Sequence, residues 1–264
     1  MTVSKPYIEQ RIPPLSPRET LPTMYDLPSD DPEEPGLPDE FHDLQPGLLT
    51  TTLSLPAYTN DFFTGTNINL YYDVNHPLWY KRPDWFLSVG VPRLYEQRDL
   101  RLSYVVWQEG VSPFVAVELL SPGTEKEDFG ETTSLPGKPP TKWDVYEKVL
   151  RIPYYIIFDR YTDQLRTFKL NAGRYEPLFL SDNRLWIPEL KTGLGFWQGT
   201  YRGIERQWLR WYDETGQWVK TDEERAEAQM QRAEAQMQRA EAAEAELSAL
   251  KSRLRAQGID LNTL

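Results

Sequence analysis

Val115-Ala-Val-Glu-Leu-Leu120, Thr141-Lys-Trp-Asp-Val-Tyr-Glu-Lys-Val-Leu150 and Tyr155-Ile-Ile-Phe158 set the fold of this chain. The first and third are continuous apolar runs rather than alternating ones, as expected for strands buried on both faces of a sheet. The second reads as the one clear helix of the body. A buried strand, a helix and another buried strand suggest a βαβ unit, right-handed if the strands are parallel. On either side lie short runs rich in Tyr, Val, Ile, Phe and Trp, broken by Gly, Pro and Asn. They predict strands over 67–74, 85–90, 102–107, 114–120, 154–159, 165–170 and 174–179, the last two joined as a hairpin at Asn171-Ala-Gly173. An aromatic hairpin around Trp208-Leu-Arg-Trp-Tyr212, Asp213-Glu-Thr-Gly216 and Trp218 closes the body. The expected class is α/β, a mixed sheet flanked by helices.

Outside residues 58–220 the composition changes. Eleven of the 22 prolines fall in the first 57 residues. Pro lacks the N–H and fixes φ, so stretches such as Pro28-Ser-Asp-Asp-Pro-Glu-Glu-Pro-Gly-Leu-Pro38 hold neither helix nor ladder. Residues 1–35 read as an extended acidic arm, solvated or wrapped over the body, and 38–50 hold one short helix at most. At the other end, Arg225-Ala-Glu-Ala-Gln-Met-Gln231 recurs unchanged at 232–238. Ala226, Met230, Ala233, Met237, Ala240, Glu244, Leu247, Lys251 and Leu254 follow the alternating 4 and 3 spacing of a left-handed coiled-coil seam. Residues 221–264 are therefore expected to form a heptad-repeat helix, with 222–255 tying a homodimer or, since Ala and Met bury little and Glu244 and Lys251 interrupt the seam, standing as a solitary surface helix.

The absence of Cys among 264 residues excludes disulfides, thiolate metal sites and thiol nucleophiles. No apolar run of about 18 residues spans a membrane and no signal peptide opens the chain, so a cytoplasmic protein is expected. The net charge of −11 argues against a polyanion partner at first sight. Its distribution removes the objection: residues 1–50 carry −7, 221–264 carry −3, and the middle of the chain is nearly neutral.

His42 and His76 are the only histidines and have no partner at i+3 or i+4, which disfavours a His-based zinc site or a Ser-His-Asp triad. No glycine-rich phosphate loop occurs. Carboxylates and lysines remain. Glu118 interrupts an apolar run, where a buried acid must be paired, protonated or metal-bound, and Asp84 follows Lys81-Arg-Pro83 at the mouth of a strand. Two acids converging on one point form a hard-oxygen site suited to Mg²⁺ or Mn²⁺. Taken singly, Glu118 could be a salt-bridged strand residue, Asp84 a turn residue and Lys142 a solvated helix lysine. Tyr146, four residues after Lys142, shares its helix face. Trp79, Tyr80, Trp107 and Trp143 read as core rather than as base-stacking platforms.

In order along the chain stand Pro83-Asp84, Glu118-Leu-Leu-Ser-Pro-Gly-Thr124, Asp128, Lys142-Trp-Asp-Val-Tyr146 and Ile152-Pro-Tyr-Tyr-Ile-Ile-Phe-Asp159. The ordered set resembles the PD-(D/E)xK phosphodiesterase superfamily, specifically its Uma-type branch of restriction-endonuclease-like proteins abundant in cyanobacteria, over about residues 66–180. Two departures stand out. The superfamily lysine two residues after the glutamate would fall at Leu120, so Lys142 inherits its role. Thirteen residues separate Asp128 from Lys142, more than the family usually has there. An acid on a helix N-terminal to the sheet often completes such sites, and Glu40 is the nearest candidate.

The resemblance implies a restriction-endonuclease-like mixed β-sheet core and Mg²⁺- or Mn²⁺-assisted hydrolysis of a phosphodiester in duplex or branched DNA. Asp84, Glu118 and the Leu119 carbonyl would hold the metal, Lys142 would orient the attacking hydroxide, and Tyr146 would orient the lysine. Two other readings stay open: a catalytically silent nuclease fold serving as a scaffold through its coiled coil, and structure-selective RNA processing.

Overall fold

The computed structural model describes residues 12–27, 39–59, 61–121, 125–134 and 137–256. They divide into two compact units, 1–219 and 220–264. The strands are β1 (Phe62–Gly65), β2 (Leu70–Tyr71), β3 (Tyr80–Lys81), β4 (Trp85–Val89), β5 (Tyr104–Val105), β6 (Val115–Leu119), β7 (Tyr154–Asp159), β8 (Gln164–Asn171), β9 (Arg174–Pro177), β10 (Arg184–Ile187), β11 (Thr192–Tyr201) and β12 (Ile204–Tyr212). The helices are α1 (Pro17–Thr20), α2 (Phe41–Thr52), α3 (Val106–Glu109), α4 (Glu125–Asp128), α5 (Lys142–Asp144) and α6 (Asp222–Ala256).

The central sheet runs β1-β4-β6-β7-β8-β9, and within it only β6 and β7 are parallel, as the two unbroken apolar runs require. Every residue of β6 is buried. Alternation along it sends Val115, Val117 and Leu119 to one face, where they pack with Phe41, Leu48 and Leu49 of α2 and with Leu194, Trp208 and Trp211. Ala116 points to the opposite face, among Val145, Tyr146, Tyr155 and Ile157. Glu118 shares that second face. Two apolar layers thus cover the sheet, the three-stranded β10-β11-β12 sheet and α2 on one side and the segment between β6 and β7 on the other.

Local sequence accounts for these elements and for where they depart from expectation. The Asn171-Ala-Gly173 hairpin forms, with both Ala172 and Gly173 at positive φ as a two-residue primed turn needs. The expected strand over 102–107 stops at Val105, because 106–109 curl into α3 ahead of Gly110 at φ 72. The expected strand over 67–74 keeps only Leu70–Tyr71 in a ladder. The body helix is a single α turn capped by Thr141, whose Oγ1 accepts from Asp144 N at 3.1 Å. It then widens into a π turn over Val145–Val149, and the Ile152-Pro153 step ends it. The β10–β11 part of the second sheet carries a weak strand signature, since β11 contains Gly193, Gly195 and Gly199. Glycine is needed at Gly193 and Gly199 because a Cβ there would run into the rings of Tyr212 and Trp197.

Residues 12–27 are not a solvated linker. Met24 and Leu27 are buried with Tyr71, Tyr95 and Val105. Gln108 Nε2 donates to the carbonyls of Pro17, Leu21 and Pro22 at 2.8, 3.0 and 3.1 Å. The most acidic stretch of the arm lies outside the described residues. Helix α2 spans 12 residues despite Pro46. Proline cannot supply the donor to the His42 carbonyl four residues back, and Asn67 Nδ2 contacts that oxygen at 3.5 Å. Gln45 pins α2 to β12 through paired 2.9 Å bonds with the Leu209 N–H and carbonyl.

In the second unit, residues Asp222–Ala256 form one helix, begun by Thr221 and Glu224 in reciprocal bonds of 2.8 and 3.2 Å. Met230, Met237 and Leu247 of its apolar seam are more than half exposed. Among the described residues no helix is long and apolar enough to cross a membrane.

Candidate active site

Pairing of Trp85 with Val117 sets Asp84, just ahead of β4, beside Glu118 near the C-terminal end of β6. The Asp84 carboxylate accepts from Leu119 N at 2.7 Å, which closes the end of the β4–β6 ladder and fixes the acid in place. Glu118 is 1% exposed. Its Oε1 accepts from the Tyr146 hydroxyl at 2.8 Å and its Oε2 from Lys142 Nζ at 3.1 Å. Lys142 and Tyr146 therefore meet through a shared partner. Lys142 Nζ also lies 2.7 Å from Asp128 Oδ1, so the long insertion does not separate Asp128 from the cluster. One step outward, Glu127 Oε1 accepts from Lys142 N at 3.2 Å and from Lys81 Nζ at 3.1 Å.

The electrostatics follow from burial. Desolvation pushes the Asp84 carboxyl above its ordinary range, and the Lys142 charge only partly offsets it. Burial raises Glu118 well above its ordinary value, helped by the nearby Asp84 and Asp128. Burial alone would lower Lys142; Glu118, Asp128 and Asp84 outweigh it and hold the ammonium charged. Burial, then Glu118, raises the Tyr146 phenol, which stays a donor. Buried Glu118 and Asp128 and half-buried Asp84 thus face one lysine.

On the other side of the β6 terminus stands a residue the sequence reading set aside. His42, 1% exposed on α2, places Nε2 at 3.0 Å from both the Leu119 carbonyl and Ser121 Oγ. Its Nδ1 lies 2.9 Å from Asp39 Oδ1, and Asp39 Oδ2 accepts from Arg160 Nη2 at 2.6 Å. Burial would raise Asp39, but His42 and Arg160 prevail and lower it. The spacing Asp39-x-x-His42 just ahead of an apolar helix is the signal that could have found this pair. Glu40, the acid expected from this helix, is exposed. Asp159 accepts from Tyr161 N at 2.9 Å and so shapes the turn after β7.

The donor set suits a small hard cation: carboxylate and carbonyl oxygens, with more buried negative charge than Lys142 balances. Among the described residues no three His, Asp or Glu side chains form a ready-made cage, so an ion here would draw on Asp84, Glu118 and a main-chain oxygen.

A mixed sheet with its acids and lysine gathered at the ends of a parallel pair is the restriction-endonuclease-like architecture. Residues 15–201 match the Uma2 family model, described as "putative restriction endonuclease". The match covers most of the chain, and the chain belongs to that family. No curated protein matches it.

Proposed function

We propose that the protein is a divalent-metal-dependent DNA endonuclease acting at the Asp84–Glu118–Lys142 cluster. The observation that carries this reading is the buried excess of carboxylate around one charged lysine, at the C-terminal ends of the only parallel pair in the central sheet. Asp84, Glu118 and the Leu119 carbonyl would hold Mg²⁺ or Mn²⁺. Such an ion, when bound, polarises a phosphate oxygen and acidifies water. Lys142 stays an ammonium at neutral pH, so it acts as a donor rather than as a base. It holds the attacking oxygen and offsets the charge that builds up on the pentacovalent phosphorus. Tyr146 fixes the Glu118 carboxylate that in turn holds Lys142. Helix α6 pairs two copies, so that two sites can address two strands.

The test is cleavage of supercoiled plasmid and of branched oligonucleotides with Mg²⁺, Mn²⁺ or EDTA, with Lys142→Ala as the control. Metal-dependent cutting that drops by about 10³-fold or more in Lys142→Ala is expected. A folded wild-type protein that cuts nothing would leave the scaffold reading in its place.

A further inference from the structure

Two guanidiniums gather on Phe41, the residue next to His42. Arg160 lies 5.5 Å from the centre of its ring and Arg206 lies 4.4 Å from it. They reach it from different elements, Arg160 from the turn after β7 and Arg206 from β12. The Arg206 side chain donates to the carbonyls of Gln207 and Arg160 at 3.2 and 3.3 Å. Among the described residues no carboxylate ion-pairs with Arg206, and Asp39 is the one that pairs with Arg160. The Arg160 Nε–H is buried and, among the described residues, has no hydrogen-bond partner. Burial and then the adjacent Arg160 depress Arg206, and Asp163 and Asp39 offset this only in part. Bringing two guanidiniums together in this way is unfavourable unless something negative sits between them.

That something has a direction. Arg160 connects through Asp39 and His42, in contacts of 2.6, 2.9 and 3.0 Å, to the Leu119 carbonyl at the edge of the acid–lysine cluster. Both arginines are half-buried, and the ring of Tyr161 beside Arg160 is 58% exposed, so the pair opens to solvent. Guanidinium forks match the two free oxygens of a phosphodiester better than any other side chain does.

We propose that Arg160 and Arg206 form a clamp for a backbone phosphate of the bound DNA strand, next to the phosphate at the Asp84–Glu118–Lys142 cluster. The proposal rests on the nuclease reading for its substrate, and the clamp needs no metal and no cleavage. Its test is binding of a fluorescein-labelled DNA duplex in EDTA, followed by anisotropy across a salt series. Removing one phosphate contact lowers the slope of log K against log salt by about 1. Arg206→Met, which keeps the stem over Phe41 and loses the charge, should lower the slope by that amount. Arg206→Lys should keep the wild-type slope. A slope unchanged in Arg206→Met, or lost equally in both variants, overturns the clamp and makes Arg206 a packing residue. The same preparations are assayed on plasmid with Mg²⁺. Wild-type cutting with an unchanged Arg206→Met slope removes the clamp and leaves the nuclease. A lowered slope in a protein that never cuts keeps the clamp and removes the nuclease.

Discussion

The two sides of the β6 terminus are built on opposite terms. On one side Asp84, Glu118 and Asp128 crowd a single lysine, and burial makes the ionised forms of Asp84 and Glu118 unfavourable. On the other side His42, Asp39 and Arg160 alternate donor and acceptor, and Asp39 is held below its ordinary value. The acid side is under electrostatic stress that a cation would relieve; on the other side Asp39 is paired with Arg160 and His42, and His42 meets the Leu119 carbonyl at the boundary between the two. Two clusters thus share one strand end and differ in the state of their carboxylates, raised at Asp84 and Glu118 and lowered at Asp39.

The sharpest way to break this contrast is Asp84→Asn. An amide oxygen can still accept from Leu119 N, while the charge goes. Cleavage should fall by ~10³-fold or more. The metal-free protein should become more stable, by about 1 kcal/mol or more, a Tm gain of roughly 2–4 °C per kcal/mol for a domain of this size. A destabilised Asp84→Asn protein with intact cutting would put the stress elsewhere. His42→Ala probes the quiet side. Loss of a residue that orients a metal-holding oxygen typically weakens affinity by about 10- to 100-fold, and Mn²⁺ titration followed by electron paramagnetic resonance should show a loss in that range. Unchanged Mn²⁺ affinity would make His42 a packing residue.

A pH series sharpens the comparison further. Asp84 and Glu118 are raised in the fold, so the stability they contribute is fully present below the ordinary carboxylate range and is lost as pH rises through their folded values. Lys142 is also raised, and its contribution persists through neutrality. Metal-free Tm should therefore decline as pH climbs above the ordinary carboxylate range. The gain in Tm on adding Mg²⁺ should grow over the same interval, because the ion competes with protons for these oxygens. A Mg²⁺ increment independent of pH would contradict the assignment. The smallest effect is expected from Tyr146→Phe, which removes one hydrogen bond to buried Glu118. It should cost about 1–3 kcal/mol in stability, read by denaturant melts, and slow cleavage far less than Lys142→Ala does.

The acid side was legible because its parts follow one another in a local pattern. A charge inside an apolar run, a lysine at a helix start and a tyrosine four residues later each carry a signal that survives without coordinates. Their contacts were not: Tyr146, expected to orient Lys142, bonds Glu118 instead, and Lys142 takes the other oxygen of the same carboxylate. The histidine side was not legible. His42 meets Leu119 across 77 positions and Asp39 meets Arg160 across 121, and no periodicity spans such distances. Residues 184–201 were missed for a different reason: glycines placed where neighbouring rings need room weaken the strand signature they belong to. The docking of residues 12–27 draws on Gln108, which bonds three carbonyls of a proline-rich segment, on Trp107, which bonds the Pro22 carbonyl, and on buried Met24 and Leu27. Composition alone reads such a segment as solvated.

The most direct test of the central claim is diffraction from crystals grown with Mn²⁺, using its anomalous signal. A peak bounded by the Asp84 and Glu118 carboxylates and the Leu119 carbonyl is expected, with Lys142 retained beside Glu118. A peak elsewhere, or none at saturating Mn²⁺, would contradict the claim and leave the buried carboxylates as a structural charge cluster around Lys142.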